Sequence, residues 1–269
     1  MDIFQAVILA AIQGITEFLP ISSSGHLILP SVLLGWSDQG LAFDVALHVG
    51  SLVAVLWYFR RDIRELVVGW LRSVTGGGAS DQSRLAWYIV LATIPACLAA
   101  LVVDDLVEQY TRNALVLGAT SIIFGLLLGV ADWRGRRDRD LLTMTWQFAL
   151  FIGLMQALAL IPGTSRSGIT MTAALLLGFN REASARFSFL LSIPLIIAAG
   201  VFKGAELAEQ GLEEPWSIVL LAVLVSAVTA YLCISLFLGF INRIGMQPFV
   251  IYRLLLGGVL IALWAGAFA

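Results

Sequence analysis

Gln13-Gly14-Ile15-Thr16-Glu17-Phe18-Leu19-Pro20-Ile21-Ser22-Ser23-Ser24-Gly25-His26 sets an amide, a carboxylate, a run of hydroxyls and an imidazole in the middle of an otherwise apolar segment. The apolar stretch leading into it, Ile3 to Leu19, is interrupted by Gln13, Thr16 and Glu17, which a plain lipid-facing span does not tolerate. A short apolar stretch follows and ends near Gly35. The whole unit, about 2–35, is too long for one span, and two full spans would leave its second helix short by about half a bilayer. It reads as a re-entrant helix-loop-helix hairpin, tolerated at membrane depth only where protein or a water-filled cavity surrounds its tip.

A second unit, about 144–179, repeats the pattern: Gln156 stands six residues before Pro162, and Gly163-Thr164-Ser165-Arg166-Ser167-Gly168 follows. The two breaks are about 143 residues apart. The same offset carries a predicted span at about 41–59 onto one at about 184–202, and 113–131 onto the region of 249–268. Together with 85–105 and 216–240, these make six transmembrane helices. The expected fold is an all-α polytopic membrane protein with an inverted-topology repeat, 1–140 and 141–269 forming a single integral membrane domain 1–269. Inverted repeats with broken helices put a shared site near the midplane.

Composition agrees. Of 269 residues, 59% are hydrophobic and 13% charged, far from the charged fraction of about 25% in soluble domains. The 16 basic and 18 acidic residues nearly cancel, which excludes the broad basic surface that nucleic acid requires. Cys97 and Cys233 sit inside apolar runs with no spacing suited to zinc or a disulfide framework. The N-terminus has an acid, Asp2, where a secretory signal carries Lys or Arg, so it is read as mature structure.

Short cytoplasmic loops collect Lys and Arg. Arg60, Arg61, Arg64, Arg72 and Arg84 are expected in one such loop and Arg134, Arg136, Arg137 and Arg139 in another, with Arg181, Arg186 and Arg243 on the same side. Asp104, Asp105, Glu108, Glu206, Glu209, Glu213 and Glu214, relieved only by Arg112 and Lys203, are expected outside. Threading the chain through these sides brings the first hairpin in from outside, the second from the cytoplasm, and leaves both termini outside. Trp36, Trp57, Tyr58, Trp133, Trp146 and Trp216 at span ends read as an interfacial belt.

Glu17, His26 and Arg166 are the ionisable groups that stand out within the membrane segments. Gln13 and Glu17, four apart, share a helix face where an oxygen pair could meet Mg²⁺ or Ca²⁺. Ser22, Ser23, Ser24 and Gly25 precede a short helix and suit an anion at its N-terminus, beyond the single Ser that a cap requires. His26 could act as the base that activates Ser23 or could itself be phosphorylated. Thr164, Ser165, Arg166 and Ser167 repeat the design with a guanidinium fork suited to phosphate, favoured here over an ion pair with Glu17, and Thr170 adds a hydroxyl one turn on. Asp44 and His48 are read as hydrated residues near the outer interface.

The motifs Gln13 to His26 and Pro162 to Thr170 resemble those of the bacterial undecaprenyl-diphosphate phosphatases, the bacitracin-resistance family, and the resemblance covers the whole chain. That family carries two glutamates in its first motif; this chain has Gln13 and Glu17, leaving Glu17 as the carboxylate. The resemblance implies hydrolysis of undecaprenyl diphosphate at Glu17, Ser23, His26, Ser165, Arg166 and Thr170, with a divalent cation, to recycle the lipid carrier of cell-wall synthesis in the bacterial inner membrane. The expected partners are that polyprenyl lipid and surrounding membrane lipids, and Gly-rich faces allow a homodimer.

A carrier or flippase of an anionic polyprenyl lipid is the rival reading, because the architecture is also that of transporters. The Ser-x-x-His pair beside a carboxylate favours an enzyme, since a carrier needs no nucleophile. A type-2 phosphatidic acid phosphatase would need a second histidine after Arg166, and none follows it.

Overall fold

The structure, a computed structural model, describes residues 1–37, 40–111, 113–210 and 214–267, with side chains described for all of these except 32, 41, 104–111, 203–210 and 267. Eleven α-helices run through the described residues: α1 Ile3–Phe18, α2 Ser23–Leu34, α3 Gly40–Tyr58, α4 Arg60–Val74, α5 Asp81–Thr111, α6 Ala114–Arg134, α7 Trp146–Ala157, α8 Arg166–Leu176, α9 Arg181–Gln210, α10 Trp216–Ile244 and α11 Gln247–Ala267. Among them α5, α6, α9, α10 and α11 are long and apolar enough to cross a membrane, and α3 with α4 adds a sixth candidate bent by 80°. The protein is an all-helical, multi-pass membrane protein.

One expected loop is a helix. Residues 60–74, read by their arginines as a cytoplasmic connection, form α4, which turns away sharply from α3. Its arginines alternate with Leu66, Val67, Val68, Leu71 and Val74 at helical spacing, a pattern outweighed by charge when the segment is read for sidedness. Several of the basic residues pair with buried or half-buried acids. Arg181 binds Asp132 through Nε at 2.6 Å and Nη2 at 2.9 Å, Arg137 approaches the same carboxylate, and Arg186 pairs with Asp62. Of the acidic residues expected opposite, Glu214 accepts from the Met1 ammonium at 2.9 Å. The side chains of Asp104, Asp105, Glu108, Glu206, Glu209 and Glu213, and of Arg112 and Lys203, lie outside the described residues. Trp57, Trp133, Trp146 and Trp216 are exposed, as interfacial anchors require.

Both broken segments are present as helix, break, helix. α1 opens with a reciprocal cap between Asp2 and Gln5 and ends where Pro20 denies it a donor, with Leu19 extended before the proline. α7 is capped by Thr145 and unwinds through a short 3-10 turn, Leu158–Leu160, ahead of Pro162. Polar contacts and small residues then pack the helices against one another, as association in lipid requires. Ser226 on α10 donates to the Leu47 carbonyl on α3 at 2.8 Å. Gly14 on α1 lies so close to α10 that a methyl there would come within 2.0 Å of Thr229 Oγ1, and Gly153 on α7 meets the Ala92 carbonyl on α5 in the same way.

Candidate active site

Each break ends in a serine with an unusual backbone. Ser22 has φ 75° and ψ 97°, and Ser165 has φ 71° and ψ 112°. A side chain pays about 1–3 kcal/mol to sit there, and such strain collects where a site needs it. Both serines cap the next helix identically, accepting from the amide three residues on: Gly25 N–H at 3.4 Å for Ser22 and Gly168 N–H at 3.1 Å for Ser165. Each hydroxyl also lies near that of the serine two residues on, Ser24 at 3.3 Å and Ser167 at 3.2 Å. The amides at the starts of α2 and α8 therefore gather into two anion-attracting ends.

Glu17 is buried at the end of α1 and joins the two breaks. Its Oε1 accepts from Arg166 Nη2 at 2.9 Å, and its Oε2 accepts from Ser23 Oγ at 2.7 Å and Gln13 Nε2 at 3.1 Å. Arg166 thus makes the ion pair that the sequence reading set below phosphate binding. Its other arm donates to the Ser188 carbonyl at 3.0 Å, and the guanidinium lies 6.0 Å over the Phe18 ring. Thr170 is buried, its hydroxyl 2.7 Å from Ser188 Oγ, and Ser167 donates to the Leu19 carbonyl at 2.8 Å, stitching one break to the other.

The expected Ser23–His26 contact is not formed. His26 Nδ1 faces the Ser22 carbonyl at 2.6 Å, which can only accept, so Nδ1 carries the hydrogen. Nε2 meets the Tyr252 hydroxyl at 2.5 Å, with the two rings stacked 11° from parallel. His48, assigned from sequence to the outer interface, is brought to the site instead, its Nε2 3.7 Å from Glu17 Oε2. Ser188, Tyr252 and Arg253 were also missed. Arg253 stands alone in an apolar span, the same signal that singled out Arg166, and would have been found by it.

Hard cations need oxygen donors. Gln13 Oε1 and Thr164 Oγ1 are buried and without a partner among the described residues, and Gln13 Oε1 shares its side chain with the amide nitrogen that touches Glu17. No group of three or more His, Cys, Asp or Glu side chains gathers among the described residues. The Glu17 carboxylate and the unpartnered Gln13 amide oxygen are donors of the kind a hard cation takes, though it is the Gln13 nitrogen that faces Glu17.

Fold and site together define a polytopic membrane protein with a buried carboxylate, arginine and serine centre built from two broken helices. The profile of the bacitracin resistance protein BacA matches residues 6–259, and the chain belongs to that family. An undecaprenyl-diphosphatase of Hahella chejuensis is 62% identical over 265 residues, covering 98% of this chain and 99% of the relative. Proteins of the same name from Teredinibacter turnerae and Chromohalobacter salexigens are 57% and 58% identical, each covering 97% of this chain and 98% of its own length.

Proposed function

We propose a mechanism for hydrolysis centred on Glu17. The protein hydrolyses undecaprenyl diphosphate to undecaprenyl phosphate and inorganic phosphate, the activity for which its relatives are named. Glu17 carries the reading, because it holds the hydroxyl of the first break and the guanidinium of the second at once.

A diphosphate entering between the breaks draws Arg166 onto its oxygens, in the bidentate geometry that guanidinium offers phosphate, while the amides opening α2 and α8 take the remaining charge. The Thr164 hydroxyl, buried and without a partner among the described residues, and those of Ser22, Ser24, Ser165, Ser167 and Thr170 are assigned to hold the phosphates with them. Glu17, released from the ion pair, accepts the Ser23 proton. Ser23 Oγ then attacks the terminal phosphorus, the bond to the bridging oxygen breaks, and undecaprenyl phosphate leaves. Water hydrolyses the phosphoserine. A Mg²⁺ or Ca²⁺ ion held by Glu17 and Gln13 would supply charge neutralisation on the diphosphate when bound. The same position leaves His26 as the alternative nucleophile only if its Nε2 parts from Tyr252.

The matching Ser22 and Ser165 turns, and the packing of α1 on α10 as α7 packs on α5, support reading the halves as an inverted repeat. The arginine-rich end is the cytoplasmic side of the bacterial inner membrane, and the site opens outward. Phosphate release by Ser23→Ala and His26→Ala variants, with quenching in SDS at neutral pH, where phosphoserine and phosphohistidine both survive, tests the assignment. Loss of turnover and of label in Ser23→Ala alone supports serine; label surviving in Ser23→Ala and lost in His26→Ala overturns it.

A further inference from the structure

Arg253 lies in α11, fully buried, and every N–H of its guanidinium ends on a main-chain carbonyl. Nε donates to Ser121 at 3.1 Å, Nη1 to Pro20 at 3.2 Å and Thr164 at 3.0 Å, and Nη2 to Gly163 at 2.9 Å and Thr120 at 3.4 Å. Those oxygens belong to the first break, the second break and α6, so one side chain ties together three parts of the chain. In a trans peptide the N–H points opposite to the carbonyl. Holding the Thr164 oxygen therefore turns the Ser165 N–H away from Arg253 at the strained turn that opens α8. The fit is tight: a methyl at Gly168 would stand 2.9 Å from Nη1, and one at Gly125 would stand 3.0 Å from the Arg253 Cβ.

The charge has a second consequence. Arg166 is cancelled by Glu17, whereas no carboxylate among the described residues forms an ion pair with Arg253. Its partners are neutral carbonyls, which satisfy its hydrogens and leave its charge unbalanced in a low-dielectric interior. We infer that Arg253 is a positioning residue for hydrolysis: its guanidinium locks the two serine-led breaks in register, and its uncancelled charge favours a diphosphate between them. The inference rests on the diphosphate reading above.

The test uses the full chain in detergent, as wild type, Arg253→Lys and Arg253→Gln, with two readouts. Phosphate release from undecaprenyl diphosphate gives kcat. Calorimetric binding of methylenediphosphonate, a diphosphate that cannot be split, reads the field without turnover. Lysine keeps the charge but has three donors on a point ammonium, so Arg253→Lys should bind the probe within about threefold of wild type while kcat falls about 100-fold. Arg253→Gln should lose kcat and bind the probe about tenfold more weakly. Probe binding by Arg253→Gln equal to wild type, or near-normal kcat in Arg253→Lys, overturns the inference. Should Arg253→Gln not yield folded protein, Arg253→Lys decides: kcat lost with probe affinity kept supports positioning, and both kept, or both lost together with the melting temperature, contradicts it. Wild type that binds the probe but releases no phosphate would count against the hydrolase reading and leave the binding comparison intact.

Discussion

Arg166 reaches from the start of α8 to Glu17 at the end of α1, Nη2 to Oε1 at 2.9 Å, and joins two stretches of chain 149 residues apart. Both groups are largely buried, so solvent screens their attraction little. A buried pair of this kind contributes little net stability and leaves a large penalty when one partner is lost. In the mechanism proposed above it acts as a gate, the guanidinium exchanging the carboxylate for phosphate.

Arg166→Lys removes the fork while keeping the charge. Turnover should fall about 100-fold or more while the protein stays monodisperse in detergent, because a lysine cannot serve Glu17, the Ser188 carbonyl and a phosphate from one point. Phosphate release at saturating substrate, beside size-exclusion chromatography, reads both.

Gln13→Glu places a second carboxylate where the amide now donates to Glu17 at 3.1 Å. Like charges at that distance repel unless a cation bridges them. Half-maximal activation by Mg²⁺ or Ca²⁺ should therefore come at a lower ion concentration in the variant, and a chelator should silence the variant more completely than wild type. A titration of phosphate release against free metal measures this.

Gly14→Ala drives a methyl into α10, within 2.5 Å of the Ser226 carbonyl and 2.8 Å of the Ala230 nitrogen. Overpacking at such a contact costs about 1–3 kcal/mol. Gly200→Ala, with nothing within 4 Å, is the control and should be silent. Thermal unfolding of the two variants in one detergent compares them.

The broken segments were legible because Pro20 and Pro162, each followed by serines, interrupt apolar runs too long for one span. α4 was not, since Arg60, Arg61, Arg64 and Arg72 announce a membrane side as strongly as they form one face of a helix. Of the residues that spacing singled out, Glu17, Ser23 and Arg166 come together, but Ser23 meets Glu17 and not His26, because the positive φ at Ser22 redirects the serines in a way spacing does not reveal. Tyr252 escaped because its partner His26 lies 226 residues away in sequence, whereas Arg253, a lone charge in an apolar span, carried a signal that was overlooked.

The most direct measurement is release of inorganic phosphate from undecaprenyl diphosphate by purified wild type and by Glu17→Gln in the same detergent and metal. Glu17→Gln keeps the shape but cannot take the Ser23 proton or hold the Arg166 charge. Robust release by wild type with a loss of about 100-fold or more in Glu17→Gln is the predicted result; release by the variant at close to the wild-type rate would contradict a hydrolytic site centred on Glu17.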